Sequence, residues 1–476
     1  MSAVLFSPSS LGLEAGTFVL AILALVVGTI KRGDPGRVVG WFVCLGLAGL
    51  FGASMFAEPG GTLAGGGYVV DDLAIFAKRL FLGSAVLGVL ASIALTHEAF
   101  NRRAGEYHFI LLASLLGMLV LASARDLILL FVAFELMSIP LYVLTGFLRR
   151  EETAAEAALK FFLIGTISSA IVIYGLSFVY GEIGATNMSG LASALQLGRP
   201  LLQLGMVLVL AGLGFKIAAM PFHMWVPDAY EAATTPFVAW LSVAPKAAGF
   251  VVILRLYVED VGPASLVWLP ATAALAALTI TAGNLMALPQ RNIKRLLAYS
   301  GIAHIGYMLM GLAVMSRGGT GMLLFYLVAY LFGNMGAFFV VQAMGASEPT
   351  HTIDTYRGLA QRSPVLALTM LLFLLSLGGI PFVAGFWAKL FVFWAAVEHG
   401  MYWIAFLGAV LTVVALYYYL LVARRMYIDA PLRPEPIAIP AVLRIAILVC
   451  AAGVIVMGVS PEPWVRMALH VAATLF

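Results

Sequence analysis

The sequence predicts an all-α integral membrane protein of about 14 transmembrane helices, arranged as two inverted five-helix repeats with two broken helices. Three observations predict it. Hydrophobic residues fill 62% of the 476 positions and charged residues only 11%, against about 25% charged in soluble proteins. Apolar runs of the roughly 20 residues that a spanning helix needs recur along almost the whole chain, leaving no room for a second, soluble domain. Two of those runs, the seventh and the twelfth, are interrupted by Pro and Gly and lie five spans apart.

The spans are expected near residues 12–30, 38–56, 76–96, 108–123, 127–147, 155–180, 202–220, 236–257, 264–286, 295–314, 320–344, 366–396, 401–423 and 438–458. Helices are expected because each satisfies its own backbone hydrogen bonds in lipid. The runs are too long for barrel strands, which need only about 10 residues. The single membrane domain, 1–476, divides into N-terminal helices (1–104), a first repeat of helices 4–8 (105–260), a second of helices 9–13 (261–428) and a last helix (429–476). The leader MSAVLFSPSSLGLEAG lacks the positive charge and cleavage pattern of a signal peptide, so the first run is read as a retained helix. Cys44 and Cys450 sit in separate apolar runs, with neither metal-ligand spacing nor a disulfide framework.

Loop charge sets the orientation. With the N-terminus outside, the loops assigned to the cytoplasm hold Lys31, Arg32, Arg37, Arg102, Arg103, Arg149, Arg150, Arg291, Lys294, Arg295, Arg357, Arg362, Arg424, Arg425 and Arg433. The opposite side holds Lys78, Arg79, Arg125, Arg199, Arg255, Arg317 and Arg466. The positive-inside rule then puts both termini outside, as an even number of helices also requires.

The seventh run reaches GFKIAAMPFHMWVPDAY, where Pro221 and Pro227 interrupt helical bonding. The twelfth reads SLGGIPFVAGFWAKLF, with Gly378, Gly379, Pro381 and Gly385 close together. Each break has a Pro-Phe pair and a nearby lysine. An odd separation reverses orientation, so the two five-helix units would be inverted repeats, and interrupted helices at matching positions point to a transport site.

Four lysines fall inside apolar runs: Lys160, Lys216, Lys246 and Lys389; the one carboxylate read as deep in a span is Glu135. A charge at mid-membrane costs at least ~3 kcal/mol on insertion scales, so these residues should face the bundle interior and contact one another or water. Lys160 lies only one to two turns in and could partly snorkel. Burial disfavours a lysine's charged form and a nearby carboxylate favours it, so a lysine between these influences can take up and release a proton; arginine cannot. Glu135 is the natural modulator of one lysine, the others form a relay, and His223 and His304 add groups that titrate near neutrality. Static ion pairs explain the set poorly, because one carboxylate cannot neutralise four lysines. Asp228 and Glu231 could attract protons at an entrance, but a solvated loop accounts for them more simply. No phosphate-binding loop, dinucleotide fingerprint, iron–sulfur cysteine cluster or basic nucleic-acid patch is present, so no redox centre or cofactor is expected on this chain.

The stretch GFKIAAMPFHMWVPDAYEAATTPFVAWLSVAPKAAGF resembles the signature of the antiporter-like subunits of complex I and of multisubunit cation/proton antiporters. FELMSIPLYVLTGF, EAALKFFLIGTISSAIVIYG and NIKRLLAYSGIAHIGYMLMGL are similar to the N-type subunits of bacterial NADH–quinone oxidoreductase. The likeness runs from about residue 105 to 400; EAATTPF lacks one proline usual in the N-type. The resemblance implies two inverted repeats and a hydrophilic axis, with the axis glutamate at Glu135 and its lysine partner at Lys216. The central and exit-side lysines would be Lys246 and Lys389, with Lys160 an N-type lysine and His223 the histidine beside the broken helix. It also implies NADH, FMN, iron–sulfur clusters and quinone in partner subunits. The partners would be other membrane subunits, including further antiporter-like ones, then the peripheral redox arm and lipid, in a bacterial cytoplasmic membrane. The long lateral helix of the L-type is absent, since the chain is expected to stop directly after its fourteenth span. The rival readings are a cation/proton antiporter subunit without redox partners and a packing scaffold that moves nothing.

Overall fold

The computed structural model describes residues 11–30, 35–148, 152–261, 268–346 and 350–476. Lys31, Arg32, Arg149 and Arg150, counted above for orientation, lie outside the described residues, as does most of the leader. Among the described residues, 13 helices are long and apolar enough to cross a membrane. The twelfth span adds a fourteenth crossing, made of Pro364–Gly378 and Ala384–Glu398 with a break between them. The expected spans therefore stand, with ends displaced by a few residues. Several starts are set by side-chain caps that satisfy the first free N–H groups. Asp71 accepts from Ala74, Asp126 from Ile128 and Leu129, and Asn292 from Lys294 and Arg295.

The chain forms two compact units. The first holds Met1–Ile217, Ala244–Val267 and Thr474–Phe476; the second holds Ala218–Val243 and Trp268–Ala473. In the first, the fourth span (Ala104–Ser123) and the fifth (Leu127–Thr145) meet at Gly117, where a Cβ would lie 2.4 Å from the Met137 nitrogen. In the second, the ninth (Leu269–Ala287) and tenth (Ile293–Ala313) meet at Gly283, where a Cβ would lie 2.4 Å from the Ala303 nitrogen. Small residues at such crossings let backbones approach, which is how helices gain van der Waals contact in lipid.

Three features depart from the expectation. The eighth span is itself interrupted: Thr235–Leu241 ends, Ala244–Leu254 resumes, and a wide π-turn, Arg255–Glu259, closes it. An antiparallel hairpin pairs Gly61–Leu63 with Tyr68–Val70 ahead of the third span. The chain does not stop after the fourteenth span (Ala441–Val459): a further 12-residue helix, Glu462–Ala473, follows. That helix is amphipathic rather than apolar throughout, so a search for uniformly apolar runs passes over it.

Candidate functional site

In the first unit the fifth span builds a seat for Lys216. Lys216 occupies the last turn of the seventh span (Pro200–Ile217) and is 2% exposed. Its Nζ donates to Ser138 Oγ at 2.7 Å and lies over the rings of Phe134 (5.3 Å) and Tyr142 (6.0 Å). Residues 134, 138 and 142 are spaced i, i+4, i+8 and share one helix face. Glu135, one residue round the helix, instead accepts a hydrogen bond from Ser169 on the sixth span. Among the described residues Glu135 and Lys216 form no ion pair. Glu135 still acts on Lys216 electrostatically, but the direct contact is made by a hydroxyl one turn further along, because neighbouring helix positions point about 100° apart.

Lys246 follows the interruption of the eighth span and is 1% exposed. Lys160 is a correction: it does not face the interior of this chain. Its side chain is 48% exposed and pairs with Glu156 one turn earlier, at 2.7 Å. It shares that face with exposed Leu159, Leu163 and Ile167.

In the second unit, His223 is buried between the end of the seventh span and the helix Trp225–Ala232. The Met220 amide in this linker donates to Thr279 Oγ1 at 3.1 Å. His304, on the tenth span, is hydrogen-bonded through Nδ1 to the Tyr326 hydroxyl (2.8 Å) and through Nε2 to the Tyr419 hydroxyl (3.4 Å). Lys389, 3% exposed, folds back on the break in its own helix: its Nζ donates to the Gly378 carbonyl at 3.2 Å. That carbonyl belongs to the last turn of Pro364–Gly378, where carbonyls lack helical partners and the dipole is negative. Gly379 permits the approach: its φ is +83°, and a Cβ there would lie 2.9 Å from Lys389 Cδ. The Tyr307 ring lies under the same ammonium, 4.9 Å away, and meets the His304 ring edge-on. Lys389, Tyr307, His304, Tyr326 and Tyr419 therefore form one continuous polar and aromatic cluster.

Several charges read as loop residues are not. Lys78 lies on the third span (Asp72–Ser92), 2% exposed, and pairs with Glu14 of the first span at 2.8 Å, with the Tyr68 hydroxyl bonded to both. Glu14, in the first turn of its span, is 5% exposed, whereas Glu135, deep in its span, is half-buried. Arg255 is wholly buried and clasps Asp71 through two parallel bonds of 2.9 Å. Asp228 and Glu231 are not in a solvated loop: they lie on the helix Trp225–Ala232 and pair with Arg295 at 2.9 and 2.8 Å. Lys294, 3% exposed, donates to the Ala233 carbonyl at 3.1 Å. Each of these lies within a turn or two of a span end, where hydropathy alone does not separate helix from loop. Both cysteines are buried and free. Among the described residues no group of three or more His, Cys, Asp or Glu could hold a metal ion.

Spanning helices broken in mid-bundle, with buried lysines at the breaks, are the build of a multi-pass ion-translocating membrane protein. The chain belongs to the NADH:quinone oxidoreductase/Mrp antiporter membrane family, whose model matches residues 124–415. It is 40% identical to the NADH-quinone oxidoreductase subunit N of Moorella thermoacetica, over 98% of each chain. Among solved structures it is similar to a chain of respiratory complex I from Thermus thermophilus with bound aureothin, at a TM-score of 0.80 and 32% identity, covering 95% of this chain and 98% of that one. A chain of the Mrp complex from Dietzia sp. DQ12-45-1b shares the fold, at a TM-score of 0.87 and 19% identity over 99% and 98% of the two chains.

Proposed function

We propose that this chain is the N-type, proton-translocating subunit of an NADH:quinone oxidoreductase. Electron transfer from NADH to quinone, through FMN and iron–sulfur clusters, takes place in partner subunits, and this chain moves protons in response without a redox centre of its own. Its neighbours are other membrane subunits, antiporter-like ones among them, linked to the peripheral arm within the cytoplasmic membrane and its lipid. Both termini face the periplasm. The relation to the Mrp complex is one of fold, whereas relatives named subunit N match nearly end to end, which favours the redox-coupled reading.

The observation that carries the proton role is the burial of a lysine beside each broken helix, Lys216 and Lys389, each held by a neutral oxygen rather than by a carboxylate. A static structural pair would close a carboxylate onto each ammonium. A lysine on a hydroxyl or carbonyl keeps a place for its proton but is not locked in the charged state. Glu135 modulates Lys216 at short range, Lys246 continues the path, and His223, His304 and Lys389 carry it through the second unit. Lys160, paired with Glu156 on an exposed face, lies off this path. The matching glycine crossings at Gly117 and Gly283 support the two repeats, 105–260 and 261–428.

Lys216→Arg tests this. Arginine keeps the positive charge but does not release a proton. Proton pumping per NADH oxidised, in membrane vesicles with assembly checked on native gels, should fall well below wild type. Normal assembly with a wild-type ratio would remove Lys216 from the path.

A further inference from the structure

At the far end of the eighth span from Lys246, five charged side chains of the first unit converge. Arg255 and Glu259 lie on the π-turn and Asp260 directly after it; Asp71 caps the third span, and Arg125 precedes the fifth. Counting spans from the first places all of them on the same side as the N-terminus. The Asp71 carboxylate is taken by both Arg255 Nη atoms and by the Ala74 amide. Glu259 is also fully engaged, Oε2 by Arg255 at 2.9 Å and Oε1 by Arg125. Asp260 is left over. Its Oδ1 has only the far reach of Arg125 Nη2 at 3.4 Å, and its Oδ2 is buried without a hydrogen-bond partner among the described residues. Three carboxylates thus face two guanidiniums, and the third sits in a side chain only 8% exposed.

We infer that Asp260 binds one proton and exchanges it with the aqueous side shared with the N-terminus. A buried carboxylate without a full partner is more stable neutral, and the proton sits on the oxygen that nothing else claims. Burial pushes Asp260 above its ordinary value, against the pull of Arg125 and Arg255, with Asp71 adding to the rise. Burial would raise Asp71 too, but Arg255 outweighs it and holds Asp71 below its ordinary value. The two carboxylates are therefore driven in opposite directions, Asp71 toward the ionised form and Asp260 toward the protonated one; burial lifts Glu259 as well, but both of its oxygens are held by arginines. The step balances simply: Asp260 carboxylate plus a proton gives the carboxylic acid, which releases the proton to water and returns to carboxylate. Arg125, 29% exposed, opens the cluster to that water. The π-turn shapes the site: its wide loop sends the Asp260 amide to the Arg255 carbonyl at 3.0 Å and brings Asp260 beside Arg125. Such turns recur at functional sites in helices.

The inference rests on the proton-carrying reading above, and its test separates the two. The assembled oxidoreductase is purified with Asp260→Asn and with Asp260→Glu, then examined by infrared difference spectroscopy across a pH titration. Protons pumped per NADH are measured on the same preparations in liposomes. In the wild type a protonated-carboxyl band should be present at neutral pH and fade as pH rises. Asp260→Asn should lose the band and lower the pumping ratio, and Asp260→Glu should restore both with the band moved. An unchanged band or an unchanged ratio in Asp260→Asn overturns the inference. Where Asp260→Asn does not assemble, isotope-labelled aspartate decides: the label must shift the band in the wild type but not in Asp260→Glu, and a band indifferent to it overturns the inference. If Lys216→Arg stops pumping while Asp260→Asn pumps normally, only the inference falls. If both pump at the wild-type ratio, the functional reading falls with it.

Discussion

Lys216 and Lys389 are both buried beside a break, but their surroundings differ. Lys216 precedes its break and leans on the hydroxyl and rings of a neighbouring helix, whereas Lys389 follows its break and reaches back to a carbonyl of the same helix. The second arrangement depends on one backbone position. Gly379→Ala would force a side chain into left-handed backbone, at about 1–2 kcal/mol, and drive its Cβ into the Lys389 stem. The expected outcome is an assembled complex with a lower melting temperature and a reduced pumping ratio, whereas Gly318→Ala, whose Cβ would meet only Ser316 Oγ in ordinary contact at 3.9 Å, should leave both near wild type. The anomalous charges were legible because an ionisable group in a long apolar run has no bland explanation. What each one touches was not. Glu135 and Lys216 look like a touching pair in a list of charges, but the face occupied by 134, 138 and 142 turns Glu135 toward Ser169, and the two interact without contact. Lys78, Glu14 and Arg255 escaped for the opposite reason: each sits near a span end, where a charge is ordinary.

At the scale of elements, all fourteen crossings could be read from hydropathy, since lipid leaves the backbone few alternatives to a helix. The two breaks were legible because Pro removes a donor and Gly379 adopts a conformation that other residues resist. The break in the eighth span carried a weaker signal, Pro245 beside Lys246, within a stretch apolar enough to read as one span. The hairpin was hidden by its brevity, with 3 residues to a strand. The helix crossings make a sharper prediction than the boundaries do. Gly117→Ala would place a Cβ 2.4 Å from the Met137 nitrogen and push the fifth span, with Glu135 and Ser138, away from the fourth. Overpacking of this kind costs about 1–3 kcal/mol. Thermal unfolding in mild detergent should show the loss, and pumping should fall because the seat of Lys216 shifts with the helix. Unaltered stability would mean that the two helices separate freely at that point.

The whole molecule offers a direct test of sidedness. Cys44 and Cys450 are buried, so the native chain presents little thiol background. With both termini outside, Arg466→Cys should react with a membrane-impermeant thiol reagent added to spheroplasts, and Arg424→Cys should resist it until the membrane is opened. The reverse pattern would invert the orientation. Arg424 and Arg466 are both exposed in the chain, so access to them is decided by the side of the membrane on which they lie. One consequence of the division into units concerns how the protein is made. The stretch Ala218–Val243 belongs to the second unit but is synthesised before Ala244–Val267, which brings the last helix of the first. Domains of a nascent chain generally fold as units from the N-terminal end, yet here neither unit is finished when the other begins. The ribosome must deliver part of the second bundle, return to close the first, and only then supply the remainder. A gene cut at any one point into two separately expressed halves cannot yield two complete bundles, so the first unit has to wait, unclosed, for a helix that arrives out of turn.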